Sequence, residues 1–187
     1  ESVALLPGCY IANDYANLQG DLVDFALGTE PNRAPRESLQ ADVNVSNAPL
    51  VFATLSNTQK WDPATFHVWM NLLRTFGGSK LIHISHKGSD VAQPHLRHAA
   101  LGQGVPSSSI GMAPQAPWID HLYVKTAIDL VLDTGAKNGH TTGLDGVWAG
   151  VPTMSLATGQ HMSTRAAESI HTSLGSGLGL AYSLKDY

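Results

Sequence analysis

The stretch Ile128-Asp129-Leu130-Val131-Leu132-Asp133, continuing Thr134-Gly135-Ala136-Lys137-Asn138-Gly139-His140-Thr141-Thr142-Gly143-Leu144-Asp145, decides the fold. Its first six residues are a short apolar run closed by an aspartate, which reads as a buried strand. The next seven carry two glycines and an asparagine, which reads as a loop. Thr141 then opens an apolar periodic segment, so residues 141–149 read as a helix that Gly150-Val151-Pro152 ends. A strand, a short glycine-bearing loop and a helix in that order make half of a βαβ unit.

The alternation recurs on either side. Residues 50–55 read as a buried strand. Asp62-Pro63 then opens a helix, with Asp as N-cap and Pro at the first helical position. Phe66, Trp69, Met70, Leu72 and Leu73 follow at helical spacing and read as core. Residues 80–85, 109–112 and 153–157 read as further strands. Residues 88–100, 119–127 and 163–174 read as helices, the last ended by Gly175, Gly177 and Gly179. Strands spaced by helical segments predict an α/β fold, a Rossmann-like parallel sheet of about five strands flanked by helices. Residues 49–187 form this lobe. Residues 19–48, rich in Gly, Pro and Asn without a sustained period, read as a linker. Residues 1–18 read as a lead-in segment. Glu1 and the abrupt close at Tyr187 both suggest cuts in a longer chain.

Composition excludes several function classes. Only 14% of the 187 residues are charged, against about 25% for a typical soluble domain. At 43% hydrophobic residues the chain still has material for a core, which excludes a highly charged disordered segment. A pI of 6.1 argues against a nucleic-acid partner. Cys9 is the only cysteine, so no disulfide framework exists, and a lone thiol fits a reducing, cytoplasmic or nuclear compartment. No run of about 20 apolar residues is present to enter a membrane.

The loop and helix start at 133–145 also carry the chemistry. In a doubly wound sheet the ligand sits beyond the carboxyl ends of the strands. The N–H groups of a helix's first turn, backed by the helix dipole, receive a phosphate there. Thr141 and Thr142 are small and bring hydroxyl donors. His140 adds a ring N–H, and Asp145, one turn on, can accept from a sugar hydroxyl. The same residues also fit a plain N-cap preceded by a loop histidine. The Gly-Lys-Ser/Thr order of a P-loop and the Gly-x-Ser-x-Gly elbow of a hydrolase are absent. The pairs His83/His86 and His95/His98 supply too few ligands for a zinc site, so no metal site is expected.

Asn138-Gly139-His140-Thr141-Thr142-Gly143-Leu144-Asp145, followed by Trp148-Ala149-Gly150-Val151-Pro152, resembles the O-GlcNAc transferases. Weaker likenesses lie in the same order along the chain. Leu6-Pro7 with residues 11–17 is similar to the start of that family's C-terminal catalytic lobe. Lys60 with Asp62-Pro63 and Trp69, Ala116-Pro117 with His121, and Arg165-Ala166-Ala167 also resemble family segments.

The resemblance implies the C-terminal, nucleotide-binding lobe of a two-lobe GT-B glycosyltransferase. It implies inverting transfer of N-acetylglucosamine from UDP-GlcNAc to Ser or Thr of acceptor proteins, with no metal or other cofactor. It implies that Lys60 neutralises the diphosphate and helps UDP leave. His140, Thr141 and Thr142 hold the diphosphate, with Asp145 near ribose or phosphate. Ala116 offers its backbone to uracil, His121 lies against the nucleotide, and Asn57 stands where the family has Gln. The implied partners are an N-terminal catalytic lobe, protein acceptors and a larger assembly. An uncharged face packed on that second lobe accounts for part of the charge deficit. The chain departs from the family at two cations: Trp118 stands for a Lys and Val124 for an Arg, with Lys125 beside it. These departures support an alternative, a degenerate lobe that scaffolds and does not catalyse.

Overall fold

A computed structural model describes residues 33–117, 120–159 and 161–187, together with Cys9 and Ile11. The lead-in segment, apart from those two residues, and the first part of the expected linker lie outside the described residues.

Six strands form one sheet: β1 (Val51–Thr54), β2 (Lys80–Ile84), β3 (Ile110–Ala113), β4 (Leu130–Leu132), β5 (Thr153–Leu156) and β6 (Leu180–Ala181). Five helices connect them: α1 (Pro63–Thr75), α2 (Ser89–Gly102), α3 (His121–Lys125), α4 (Thr141–Trp148) and α5 (Ala166–Ser173). All pairings are parallel and the order is β3-β2-β1-β4-β5-β6. This is the doubly wound arrangement, with its strand order reversing between β1 and β4.

Local chemistry sets the elements. Asp62 caps α1 by accepting from the Ala64 and Thr65 N–H groups at 3.0 and 2.9 Å, and Pro63 at the first helical position loses no bond. The central strand β1 is buried along its whole length. Its alternation splits the core between the two faces of the sheet. Phe52 packs with Leu81, Ile110, Leu132 and the α1 residues Phe66, Trp69, Met70 and Leu73. Val51, Ala53 and Leu55 pack with Ile82, Val131 and Ile128 on the other face. Phe66 and Trp69 are thus core residues, as their spacing predicts. α2 runs from Ser89 through Pro94, whose missing N–H removes one bond of the ladder.

Two expectations need correction. The count of about five strands omits β6, which is only two residues long and follows a glycine-rich turn that hides its period. The second part of the expected linker is built into the lobe. Ala34, Leu39, Val45 and Ala48 are buried in the second core cluster. Asp129 fastens this segment, accepting from Arg33 at 3.0 Å, Arg36 at 2.9 Å and the Val51 N–H at 2.7 Å. Asp42 continues the β3 edge: its N–H donates to the Met112 carbonyl at 2.9 Å, and its carboxylate accepts from the Met112 N–H at 2.7 Å. Such a path has no period, since single apolar residues drop into the core between polar ones.

Gly179 shows what the turn before β6 demands. Its φ is 84°, and a Cβ there would run into the Thr153 carbonyl oxygen. Gly179→Ala should destabilise the lobe by about 2–3 kcal/mol, combining left-handed strain with a backbone clash. Urea denaturation measures this. Gly177→Ala, where an added Cβ meets nothing within 4 Å, is the control. Equal stability of the two variants would refute the argument.

Candidate functional site

The carboxyl ends of β1 and β4 are neighbours, but the chain leaves them in opposite directions, which opens a crevice. On the β1 side, a 3-10 turn at Thr58–Lys60 presents Lys60. Asn57 caps this turn, its side chain accepting from the Gln59 N–H at 3.1 Å. Trp61 anchors the turn to the core. Its ring meets Trp69 edge-on at 5.0 Å and His83 at 5.6 Å, and its Nε1 donates to the Ser56 carbonyl at 3.4 Å.

On the β4 side, Asp133 shapes the loop. Its buried carboxylate accepts from the Gly139 N–H at 2.7 Å, the Thr134 N–H at 2.8 Å and the Ser155 hydroxyl at 3.2 Å. Asn138, fully buried, acts as a rivet: its amide donates to the carbonyls of Thr134 and Leu156 at 3.0 and 3.1 Å. Gly139 is required by close approach. A Cβ there would stand 2.8 Å from Thr142 Oγ1 and 3.3 Å from Asp133 Oδ1. Tyr187 braces the strand end, donating to the Asp133 carbonyl at 2.8 Å and accepting from Trp69 Nε1 at 3.1 Å. The loop delivers His140, then Thr141 and Thr142 at the head of α4.

These charges act on one another. Burial pushes the Asp133 carboxyl up to about 6, against the pull of its hydrogen bonds and of Lys60. Burial also lowers Lys60, with Asp133 opposing the shift and Lys137 adding to it. His140 is lowered by burial first, then by Lys60 and Lys137. Lys60 thus lies within electrostatic reach of the buried Asp133, of Lys137 and of His140, a corner with positive excess that suits an anion.

Beside this corner lies a cleft of about 400 Å³, within the usual range for small-molecule sites. Ala116, His121, Thr142 and Asp145 line it, and so do Val124 and Lys125. Lys125 Nζ stands 2.8 Å from Asp145 Oδ2, and His121 Nε2 stands 3.9 Å from the same oxygen. Burial lowers the Lys125 ammonium, and Asp145 opposes that shift.

The residues singled out in the sequence therefore fall into two adjoining groups. Ala116, His121, Thr142 and Asp145 share the cleft. Lys60 and His140 meet at the charged corner, with Thr141 opening the helix between. Asn57 is used locally as a cap. Trp118 lies outside the described residues. Sequence reasoning assigned no role to Asp133, Asn138 or Tyr187. An aspartate ending a strand and an asparagine in the following loop are legible signals for the first two; nothing flags Tyr187. His83 is core, its Nε2 2.7 Å from Gln93 Oε1. Among the described residues no group of three or more His, Cys, Asp or Glu side chains could hold a metal ion. Among the same residues no helix is long and apolar enough to cross a membrane.

The sheet is doubly wound, with a cationic corner and an adjoining cleft at its switch point, which is where folds of this class take their ligands. The family profile for glycosyl transferase family 41 matches residues 6–187, and the chain belongs to that family. It is 32% identical, over its whole length, to a probable UDP-N-acetylglucosamine–peptide N-acetylglucosaminyltransferase of Arabidopsis thaliana. Over 80% of its length it is 27% identical to a UDP-N-acetylglucosamine–peptide N-acetylglucosaminyltransferase of Caenorhabditis elegans. A solved mutant O-GlcNAc transferase from Thermobaculum terrenum superposes on 86% of the chain with a TM-score of 0.70 at 25% identity. The fold is that of the C-terminal lobe of a GT-B transferase. The chain spans 18% and 13% of the two relatives' lengths and 29% of the solved chain.

Proposed function

We propose that this lobe binds the UDP end of UDP-N-acetylglucosamine, and that the intact protein transfers the sugar to Ser or Thr of acceptor proteins. The observation that carries the reading is the convergence at the switch point. Lys60 follows β1, the His140–Thr142 segment follows β4, and a nucleoside-sized cleft adjoins both. The diphosphate lies at the corner, on the first-turn N–H groups of α4 and against Lys60. The nucleoside lies in the cleft between Ala116 and His121, with Asp145 beside the ribose.

In the transfer, the acceptor hydroxyl displaces UDP in line and inverts the anomeric carbon. Charge develops on the departing diphosphate. Lys60, His140 and the helix N–H groups are fixed in place to receive it, which stabilises the transition state more than the ground state. In this reading those groups take the place of a metal ion. The second lobe supplies the opposite wall and the acceptor site.

Calorimetry of the intact protein with UDP in EDTA tests the reading. Micromolar binding is the expected result. A folded protein that binds no UDP at millimolar concentration overturns it and leaves the degenerate, scaffolding lobe. One observation favours that second reading: Lys125, the cation in the cleft, is already bound to Asp145.

A further inference from the structure

The two halves of the charged corner stand on separate elements. Among the described residues, the hydrogen bonds of the Thr58–Lys60 turn stay within residues 56–61. The pairing of β1 with β4 joins Phe52 to Leu130 and Ala53 to Val131 and goes no further. Past that point no ladder fixes the distance between Lys60 and the loop at 134–140.

Tyr187 spans the gap. Its hydroxyl accepts from Trp69 Nε1 at 3.1 Å and donates to the Asp133 carbonyl at 2.8 Å. On the first side, Trp69 is fully buried in α1 and meets the Trp61 ring edge-on at 5.0 Å, with an angle of 87° between the planes. Trp61 also stacks on Phe66 at 6.1 Å and is the next residue after Lys60. On the second side, the Asp133 carboxylate holds the Thr134 and Gly139 N–H groups, so a movement of Asp133 moves the segment that presents His140. Burial pushes the Tyr187 phenol far up, and the hydroxyl therefore keeps the proton it donates. A continuous path thus runs from Lys60 through Trp61, Trp69 and Tyr187 to Asp133 and the loop.

We infer that Tyr187 is a positioning residue for the diphosphate, its hydroxyl fixing the loop after β4 at the distance from Lys60 where both reach the same phosphate group. The inference rests on the nucleotide-binding reading above. A loop that is free to shift carries its N–H groups, and a phosphate bound to them, along with it. The shift weakens binding only where a second holder, fixed on the β1 side, must reach the same group. Two holders set in advance by rigid elements bind more tightly than the same two loosely placed.

The test is calorimetry of the intact protein with UDP, for the wild type, Tyr187→Phe, Lys60→Ala and the double variant. Tyr187→Phe keeps the ring and removes the hydroxyl. It should weaken UDP by about tenfold. In the Lys60→Ala protein the same change should weaken UDP by less than about twofold, because the loop then has no fixed partner to meet. A hydroxyl that only stabilises the fold has no such dependence on Lys60: it lowers the urea midpoint in both backgrounds and leaves the affinity of the folded protein alone. A folded Tyr187→Phe protein with wild-type affinity overturns the inference and leaves nucleotide binding intact, and so does a loss of equal size with and without Lys60. A folded wild type that binds no UDP overturns both. If Tyr187→Phe does not fold, Trp69→Phe cuts the same link at its α1 end, and an unchanged affinity, or a loss independent of Lys60, overturns the inference just as well.

Discussion

Alanine in place of Lys60 should weaken UDP binding by about a hundredfold and lower kcat of the intact protein by about a hundred- to a thousandfold. The ammonium sits half-buried beside the loop that receives the diphosphate, where removal of water strengthens its attraction for an anion. Charge on the diphosphate grows as the sugar bond breaks, so kcat should fall as well as affinity. Lys60→Arg should recover part of the affinity but less of kcat, because a planar guanidinium does not reproduce a point charge at the leaving oxygen. Side effects on folding are expected to be small, since Trp61 and Asn57, and not the Lys60 side chain, hold the turn. A variant with a raised KM and an unchanged kcat would show that Lys60 serves binding only.

Asp133→Asn should flatten the pH dependence of stability. The folded carboxyl titrates at about 6, against an ordinary value of 3.8, because burial disfavours its charge. Between those values the folded chain holds a proton that the unfolded chain has released. The stabilisation from that proton is complete below pH 3.8 and is lost as pH rises through about 6. The wild type should therefore lose about 3 kcal/mol relative to Asp133→Asn between about pH 4 and pH 7. Asparagine keeps one acceptor for the Gly139 and Thr134 N–H groups and places its amide by Ser155, so the loop is preserved. Urea denaturation of both proteins across this range gives the answer. Parallel curves would mean that the carboxyl is not desolvated.

Much of this molecule is legible in its sequence. The strand at 128–133, the loop that follows and the helix from Thr141 fall close to where patterning puts them, because each is bounded by residues with one strong backbone preference. Asp62-Pro63 does the same for α1. What patterning misses is non-local. Residues 34–48 look like linker because their contacts are made one residue at a time with a sheet far along the chain. β6 is too short to show a period. At the site, the run from Asn138 to Asp145 points to a phosphate corner. The cleft is harder to read, because its walls come from the ends of three strands and two helices. His86 and Gln115, which both line it, illustrate the difficulty: they are 29 residues apart, and only the sheet brings them together.

The strand order has a consequence for how the protein is made. β1 and β4 lie side by side at the heart of the sheet, yet Val51 and Asp129, which hydrogen-bond across that junction, are 78 residues apart. A nascent chain that has emerged only through β3 holds three strands and Lys60, but no loop for a phosphate. The two halves of the crevice meet only after synthesis has passed the second strand of the junction. Pairing over so long a separation is slow compared with local contacts. Until then the flank of β1 that β4 will cover is a bare edge, open to the wrong neighbour. The ligand accordingly has no site on the early half of the chain and cannot template its folding; it can only stabilise a lobe already closed.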